Sequence, residues 1–428
     1  MRAGYGKKLR NYLSTTVNTH AVLDFGMAQN FGAATTYTCV IQVAKSPSSS
    51  QTLSCYAMDD RAAMANPSEY FGLNYVEQNH LDENPWVVLS KDRQRIKELV
   101  EAQGVPLEDW DIQINYGIKT GFNDAFYITQ EQRDAFIAED PACEELLVPL
   151  LRGRHIERYK TNWDGTWMIA TFPALELKEK SLPKPIFEHL NTNRERLEPK
   201  PSGWTGAWAG RKAGSYAWYE TQDVIGYHNE FRAPKIVYQE IATTLPFFYD
   251  NHQMFMDTTC FMMSSNEGKL GYLTAVLNSS LFRCCFKDNF PEYSGNAYRV
   301  KKIFVDRIPI RKVERTERSL FESAVFLVQL AKRISHVSSQ FLEDLIDACV
   351  MECYFSDHMA ERDLLFLDDL KPHLANYDAS ASDSKQTKFL EHFYRTLNAP
   401  DSPIRNRLLR LTADSPDLLA VIKQEGKV

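Results

Sequence analysis

The stretch Gly117–Phe126 reads GIKTGFNDAF and is the most informative segment of the chain. Its two glycines can adopt a positive φ or let another backbone approach closely. Between them, Lys119 and Thr120 offer an ammonium group and a hydroxyl group, which suit an anionic ligand. A strand, a turn and a second strand without any ligand is the alternative interpretation. The segments that follow favour a ligand-binding loop.

A chain of 428 residues is too long for one ordinary core, and its length predicts two or three domains of about 150 residues each. Hydrophobic residues make up 44% of the chain, which is enough to fill those cores. No apolar run approaches the ~18 residues that cross a bilayer, and no signal-peptide pattern follows Met1. We therefore expect a cytoplasmic protein without membrane contact.

The charge changes sign along the chain, although the net charge is −7. Residues 56–150 carry 7 basic and 19 acidic side chains, a balance of −12. Residues 151–212 carry 12 basic and 7 acidic side chains, a balance of +5. A protein that presents one basic face to a polyanion shows such asymmetry. Ordinary variation of surface charge is the alternative.

Known catalytic and metal motifs are absent from the sequence. It has no Gly-x-x-x-x-Gly-Lys-Ser/Thr, no His-Glu-x-x-His and no Gly-x-Ser-x-Gly. The eight cysteines form no Cys-x-x-Cys pair. Cys349 and Cys353 lie four apart on a predicted helix, where we favour a reduced, packed pair over a metal site. The histidines form no ligand set, so we predict neither a metal site nor a catalytic residue.

The first 58 residues resemble part of a larger sheet. Strands are predicted at His20–Gly26, at Thr36–Ala44, which is rich in β-branched residues, and at Thr52–Met58. Two or three strands and a short helix cannot bury their own faces. We therefore expect this block to complete a sheet whose other strands lie outside the chain.

The remaining sequence predicts a mixed α/β domain and then a helical region. Ser90 is a candidate N-cap for a helix over Lys91–Gln103, and Thr129 with Gln132 forms a candidate capping box. A strand is predicted over Ile112–Ile118. Helical spacing from about residue 312 onwards predicts helices over Leu320–Ile334, Phe341–Tyr354, Phe389–Leu397 and Leu408–Leu411, with a flexible connection at Asp378–Lys385.

Three basic segments are candidates for ligand contact. Residues 149–160 place Arg152, Arg154 and Arg158 around Gly153, with Tyr159 beside them. Arginine can donate two hydrogen bonds to a phosphate or to a guanine edge, and tyrosine can pack on a sugar or a base. The other two segments are Trp204–Tyr219, which contains Arg211 and Lys212, and Tyr293–Ile303, which contains Arg299. Solvated charges and the packing of a glycine-rich loop are the alternatives.

Five segments in order resemble the TaqI-like target-recognition region of type IIG restriction-modification enzymes and related adenine-N6 DNA methyltransferases. They are GIKTGFNDAFYI, LLRGRHIERY, FRAPKIVYQEI, LTAVLNSSLF and YSGNAYRVKKIFVDRIPI. Upstream, YGKKLRNYLS, HAVLDFG and NFGAATTYTCVIQVAK are similar to the part of the methyltransferase domain that follows its catalytic Asn-Pro-Pro-Tyr motif. The resemblance covers most of the chain.

The resemblance implies four regions. These are a methyltransferase remnant with trailing strands of a Rossmann-like sheet (1–58), an acidic connector with one helix (59–110), a mixed α/β (α+β) DNA target-recognition domain (111–312) and a helical C-terminal region (313–428). The catalytic tetrapeptide and the S-adenosylmethionine loop of the family are missing, since Asn66-Pro67 is followed by Ser68. We therefore expect a truncated gene product or a split subunit that is inactive alone and binds no S-adenosylmethionine.

The function implied by the resemblance is recognition of double-stranded DNA for an adenine-N6 methyltransferase or a type IIG restriction enzyme. A protein-interaction fragment or specificity subunit that docks on a separate methyltransferase or nuclease polypeptide is the alternative. The residues assigned to DNA contact are Lys119, Thr120, Asn123, Arg152, Arg154, Arg158, Tyr159, Arg211, Lys212, Tyr293 and Arg299.

Overall fold

The computed structural model describes residues 6–26, 38–48, 51–57, 60–79, 81–83, 86–267, 270–291, 293, 297–334 and 336–427. A four-stranded sheet forms its N-terminal part. The strand order is β2-β1-β3-β4, and only β1 and β3 run parallel. The elements are α1 (Lys7–Thr15), β1 (Asn18–Asp24), β2 (Cys39–Ala44), β3 (Gln51–Tyr56), α2 (Asp60–Ala65), α3 (Pro67–Asn74) and β4 (Val76–Asn79).

The three strands predicted in this block are confirmed as β1, β2 and β3, although residues 36, 37 and 58 lie outside the described ranges. The fourth strand, β4, was expected from outside the chain and comes from residues 76–79 instead. On the edge strand β2, Val40 and Val43 remain 56% and 48% exposed. The sheet therefore leaves apolar side chains uncovered in the described part of the chain.

The connector contains more structure than the single helix expected for residues 59–110, because α2, α3 and β4 precede the predicted helix. That helix is confirmed as α4 (Lys91–Glu101), and the hydroxyl of Ser90 accepts a hydrogen bond from the N–H of Arg93 as an N-cap should. A short strand, β5 (Val105–Pro106), follows α4. It pairs with residues 309–310, so the connector and the end of the next region are joined.

A central antiparallel sheet separates two hydrophobic cores. Along its middle strand, Ile236 and Tyr238 belong to one core and Val237 to the other, as the two-residue period of a strand requires. The sheet order is β14-β12-β16-β6. The elements are β6 (Gln113–Tyr116), β12 (Lys235–Gln239), β14 (Phe247–Asp250) and β16 (Cys260–Ser264).

The first core, which contains Val237, lies against a smaller sheet ordered β15-β8-β11-β7. The capping box predicted at Thr129 and Gln132 is confirmed at the start of α6. The elements in this region are α5 (Asn123–Phe126), β7 (Tyr127–Ile128), α6 (Gln130–Glu139), β8 (Leu147–Leu151), β9 (Ile156–Glu157), β10 (Lys160–Thr161), β11 (Trp167–Ile169), α7 (Lys184–Asn191), α8 (Arg194–Leu197) and β15 (Phe255–Met256). The short strand β13 (Ile241–Ala242) instead contributes Ala242 to the other core.

The second core joins the helical region to the other face of the central sheet. It includes residues of α4 and of all the long C-terminal helices, so it crosses the expected boundary at residue 312. The elements are α9 (Gly271–Asn278), α10 (Ser280–Phe286), β17 (Tyr298–Arg299), α11 (Lys302–Val305), β18 (Pro309–Ile310), α12 (Arg315–Ile334), α13 (Ser339–Ala360), α14 (Leu367–Leu374), α15 (Asp383–Leu397), α16 (Pro403–Arg410) and α17 (Leu419–Glu425).

The predicted C-terminal helices are confirmed, with one correction. Residues 383–385 of the expected flexible connection form the first turn of α15, and Asp378 anchors the preceding turn by accepting hydrogen bonds from Ser380. Cys349 and Cys353 are free and buried, consistent with a packed pair. Within the described ranges, no helix combines the length and apolarity that crossing a bilayer takes.

Candidate functional site

A turn at Met256–Cys260 connects three segments that the sequence had marked separately. The backbone N–H groups of Gly117 and Ile118 donate to carbonyl groups of this turn at 3.0 and 2.7 Å. The N–H of Gly153 donates to the hydroxyl of Thr259 at 2.7 Å. On its other side, the N–H of Glu240 donates to the carbonyl of Thr259 at 2.9 Å. The turn therefore brings the 117–126 loop, the 152–154 segment and residues 239–241 close to one another.

The glycine at position 117 is required by this close approach. A Cβ atom there would lie 1.9 Å from the carbonyl oxygen of Asp257, well inside van der Waals contact. Gly121 has a φ of +80°, a conformation that other residues adopt at a cost. Both glycines of the loop thus serve its backbone geometry.

The loop divides its polar side chains between interior and solvent. Lys119 and Asn123 are exposed, whereas Thr120 is buried. The Thr120 hydroxyl donates to Oδ1 of Asn123 at 2.6 Å and accepts from the N–H of Phe122 at 3.2 Å, so it orients its neighbours. The ring of Phe122 in turn supports the guanidinium of Arg196, which lies 3.9 Å from the ring centroid. Sequence reasoning missed Arg196, because nothing local connects it to the loop.

Arg211 is an internal clamp. Its guanidinium donates five hydrogen bonds of 2.7 to 3.2 Å to the carbonyl groups of residues 120, 197, 217, 218 and 220. A guanidinium has five N–H donors, and all of them are used. Burial lowers the pKa of Arg211 to about 10. The side chain positions the 117–126 loop through the Thr120 carbonyl, while its neighbour Lys212 is exposed.

A cleft of 560 Å³ opens beside the 256–260 turn. The Arg152 guanidinium lies over the ring of Tyr127 at 5.2 Å and donates to the Thr166 hydroxyl at 3.3 Å. Arg154 is 63% exposed and pairs with Asp164 at 2.8 Å. The residues that line the cleft are Arg152, Gly153, Arg154, Gln239, Glu240, Ile241, Asp257 and Thr259.

Asp257 lines the cleft, and its carboxylate holds the 256–260 turn together. It accepts hydrogen bonds from the hydroxyl and, at 2.9 Å, from the N–H of Thr259. Burial, followed by the nearby Asp257 carboxylate, raises the pKa of the Tyr127 hydroxyl. An Asp two residues before a Thr favours an Asx turn, and this local signal in the sequence could have identified the turn in advance.

Tyr293 and Arg299 join the same cleft through a short strand pair. Arg299 on β17 is directly opposite Ile241 on β13, and Ile241 lines the cleft. The Arg299 guanidinium lies 4.7 Å from the ring centroid of Tyr293, which is 54% exposed. Among the described residues, no partner accepts a hydrogen bond from the buried Nε of Arg299. Arg299, with the ring of Tyr293 beside it, therefore lies next to Ile241 at the edge of the cleft.

Three side chains of the 152–159 segment are directed inward. His155 is buried, its Nδ1 accepts from the N–H of Arg152 at 3.1 Å, and burial lowers its pKa. Arg158 forms an ion pair of 2.9 Å with Glu343 on α13. Tyr159 is 1% exposed, and burial raises the pKa of its hydroxyl. Arg158 and Tyr159 thus contact the helical region and lie away from the cleft.

The predicted residues consequently separate into groups. Arg152 and Arg154 line the cleft, and Arg299 lies opposite its lining residue Ile241. The 256–260 turn is hydrogen-bonded to the start of the loop that carries the exposed Lys119 and Asn123. Lys212 is exposed beside the Arg211 clamp. Among the described residues, no group of three or more His, Cys, Asp or Glu side chains could hold a metal ion. The site can bind an anionic, planar ligand through arginine and aromatic faces.

Residues 148–310 match the family described as the TaqI-like C-terminal specificity domain. This range, called the specificity domain, is less than half of the chain. The matched range includes all the residues that line the cleft, and it confirms the predicted resemblance. The mixed α/β fold with helices at the C-terminal end is also confirmed. The specificity domain begins within β8 and ends with β18.

Two solved structures match most of the chain at low identity. The type IIL restriction-modification enzyme MmeI, determined in complex with DNA, matches with a TM-score of 0.41 and 14% identity over 90% of this chain and 46% of that chain. The type IIG restriction endonuclease BpuSI matches with a TM-score of 0.41 and 11% identity over 92% of this chain and 45% of that chain. The chain thus spans less than half the length of these structures. No curated protein matches it.

Proposed function

We propose that the specificity domain recognises double-stranded DNA for a type II restriction-modification enzyme whose methyl transfer is directed at adenine N6. One observation carries the proposal. Within the residues that match the TaqI-like specificity domain, Arg152 and Arg154 line a single cleft, and Arg299 is the strand partner of Ile241 in the lining of that cleft. Phosphate contacts position a protein on DNA, and arginine contacts with base edges select the sequence.

The surroundings of the arginine side chains support this assignment. In the described part of the chain, neither Arg152 nor Arg299 has a carboxylate within ion-pair distance, and both guanidinium groups lie over tyrosine rings. An unpaired guanidinium held by an aromatic face is prepared to donate two parallel hydrogen bonds to phosphate or to guanine. Arg154 is the exposed partner of a surface ion pair, which is worth little and can be exchanged for a phosphate.

Methyl transfer on adenine needs a domain that rotates the base out of the duplex and a second domain that holds the DNA. The sequence contains neither an Asn-Pro-Pro-Tyr motif nor a loop for S-adenosylmethionine. In this proposal the chain supplies the holding and reading function, and a methyltransferase domain beyond these 428 residues supplies cofactor and chemistry. Lys119, Asn123 and Lys212 supply additional phosphate contacts, whereas Arg211 and Thr120 position the loop.

Fluorescence anisotropy with duplex DNA over a salt series tests the proposal. Arg152→Ala and Arg299→Ala should each weaken binding by about 1–3 kcal/mol, or roughly 5- to 150-fold. Arg395→Ala is the matched control, because Arg395 is an exposed arginine on α15 that no contact ties to the cleft. Affinity that is undetectable, or that does not fall with salt, would contradict DNA recognition. Methyl transfer to DNA by the purified chain alone would contradict the assigned division of labour.

Docking on a separate methyltransferase or nuclease polypeptide is a second candidate, favoured by the uncovered N-terminal sheet. Val40 and Val43 on the edge strand β2 are about half exposed, as are Leu9 and Tyr12 on α1. An edge strand with apolar side chains pairs readily with another chain. Co-expression with the polypeptide encoded next to this chain should yield a complex that Val43→Lys weakens. Recovery of both polypeptides separately would exclude this candidate.

A further inference from the structure

Backbone hydrogen bonds join the two ends of the loop from Lys200 to Gly210, and the Arg211 side chain lies next to these ends. Pro199 and Arg211 form a β-bridge, in which the N–H of Lys200 donates to the Arg211 carbonyl at 2.9 Å. The N–H of Arg211 donates to the carbonyl of Glu198 at 3.0 Å. The buried Arg211 guanidinium lies beneath this bridge and also binds the carbonyl of Thr120. The base of the loop is thus rigidly attached to the 117–126 segment.

The tip of the loop presents an indole to solvent. Gly203 and Gly206, with φ of +77° and +106°, turn the chain on either side of Trp204, which is 50% exposed. Its Nε1 donates to the carbonyl of Ala207 at 3.1 Å, so the polar atom is satisfied within the loop. Trp208 packs edge-on at 5.4 Å between ring centroids and fixes the indole orientation. The loop therefore holds an aromatic surface outward.

The charges around this tip favour a polyanionic partner. Residues 199–219 contain no Asp or Glu, and the cations outside the core in this range are Lys200 and Lys212. The nearby Lys119 belongs to the segment that Arg211 connects to the loop. An exposed tryptophan face in a segment that carries lysines and no carboxylate suits the π-face of a nucleobase and its adjoining phosphates.

We propose that Trp204 stacks on a nucleobase that has left the helical stack, which makes the 200–210 loop a second nucleic-acid contact apart from the cleft. The inference rests on the proposed DNA-binding function and adds to it. In a continuous duplex the base faces are covered by their neighbours, so an indole can reach one only where a base is unpaired or unstacked. Enzymes that modify a base by flipping it create such bases.

Binding to two matched DNA duplexes tests this proposal. The first is a fully paired duplex, and the second has the same sequence with one unpaired adenine in the centre. The wild-type chain should prefer the bulged duplex. Trp204→Ala should lose roughly 5- to 150-fold in affinity for the bulged duplex, as expected for one stacked base, and much less for the paired duplex. Trp204→Phe, which keeps an aromatic face, should retain most of the preference.

Two controls separate contact from folding. Val224 is a 54% exposed apolar residue of the same domain, so Val224→Ala removes a similar exposed surface and should leave both affinities unchanged. Thermal unfolding should be the same for Trp204→Phe and wild type. Addition of the bulged duplex should quench tryptophan fluorescence more in wild type than in Trp204→Phe, and equal quenching would overturn the stacking contact.

The outcomes also distinguish this inference from the proposed function. Equal affinity of wild type and Trp204→Ala for the bulged duplex, with salt-dependent binding of the paired duplex intact, overturns the stacking contact alone. No binding of either duplex by wild type overturns both proposals. Unchanged DNA affinity together with loss of self-association in light scattering of Trp204→Ala would assign the loop to protein contacts, and would also overturn the stacking proposal.

Discussion

Arg211→Ala should destabilise the specificity domain without removing any exposed charge. The substitution leaves five carbonyl groups without the guanidinium that now binds them. At a net value of about 1 kcal/mol for each hydrogen bond, the sum is about 5 kcal/mol, and rehydration of carbonyls near the surface reduces it to roughly 3–5 kcal/mol. Arg211→Lys has three donors for five acceptors, so its loss should be about 2 kcal/mol.

Thermal unfolding followed by circular dichroism measures this effect. For a unit of 150–250 residues, about 3–5 kcal/mol corresponds to a fall in Tm on the order of 10 °C. Lys212→Ala is the control, because the adjacent lysine is exposed and should change stability by less than about 0.5 kcal/mol. If Arg211→Ala melted within about 2 °C of wild type, the clamp would not stabilise the loop, and the positioning role of Arg211 would be refuted.

Two further predictions concern the backbone and the pH response. Gly117→Ala should cost at least about 1–3 kcal/mol, because the new Cβ meets the Asp257 carbonyl; Gly226→Ala, with open space around position 226, should be neutral in the same melting assay. Burial lowers the pKa of His155 below 6.5, so below that pH the unfolded chain binds a proton that the folded state does not, and stability falls. Between about pH 7 and about pH 5, the Tm of wild type should therefore fall more than the Tm of His155→Asn. Parallel plots of Tm against pH for the two proteins would show that His155 does not contribute in this way.

Local signals in the sequence predicted most elements correctly. The cap at Ser90 and the capping box at Thr129 depend on residues three positions apart, and the strand predicted over Ile112–Ile118 depends on a two-residue alternation. Such patterns act within a few residues, so the sequence contains them whole. The order of five segments likewise identified the specificity domain. By contrast, β4 pairs with a strand more than twenty residues earlier, and no local pattern specifies that pairing.

The sequence by itself determined most of the secondary structure, the caps at Ser90 and Thr129 and the resemblance of residues 148–310 to the specificity domain. It also determined that the basic side chains are concentrated in three segments. Only the tertiary structure decided how each cation is used. Arg211 and Arg152 both lie in basic segments of the sequence. The five N–H groups of Arg211 donate hydrogen bonds to backbone carbonyl groups inside the protein, whereas Arg152 lines an open cleft. Burial and hydrogen-bond partners depend on residues distant in the chain, and these decide whether a charge supports the fold or meets a ligand.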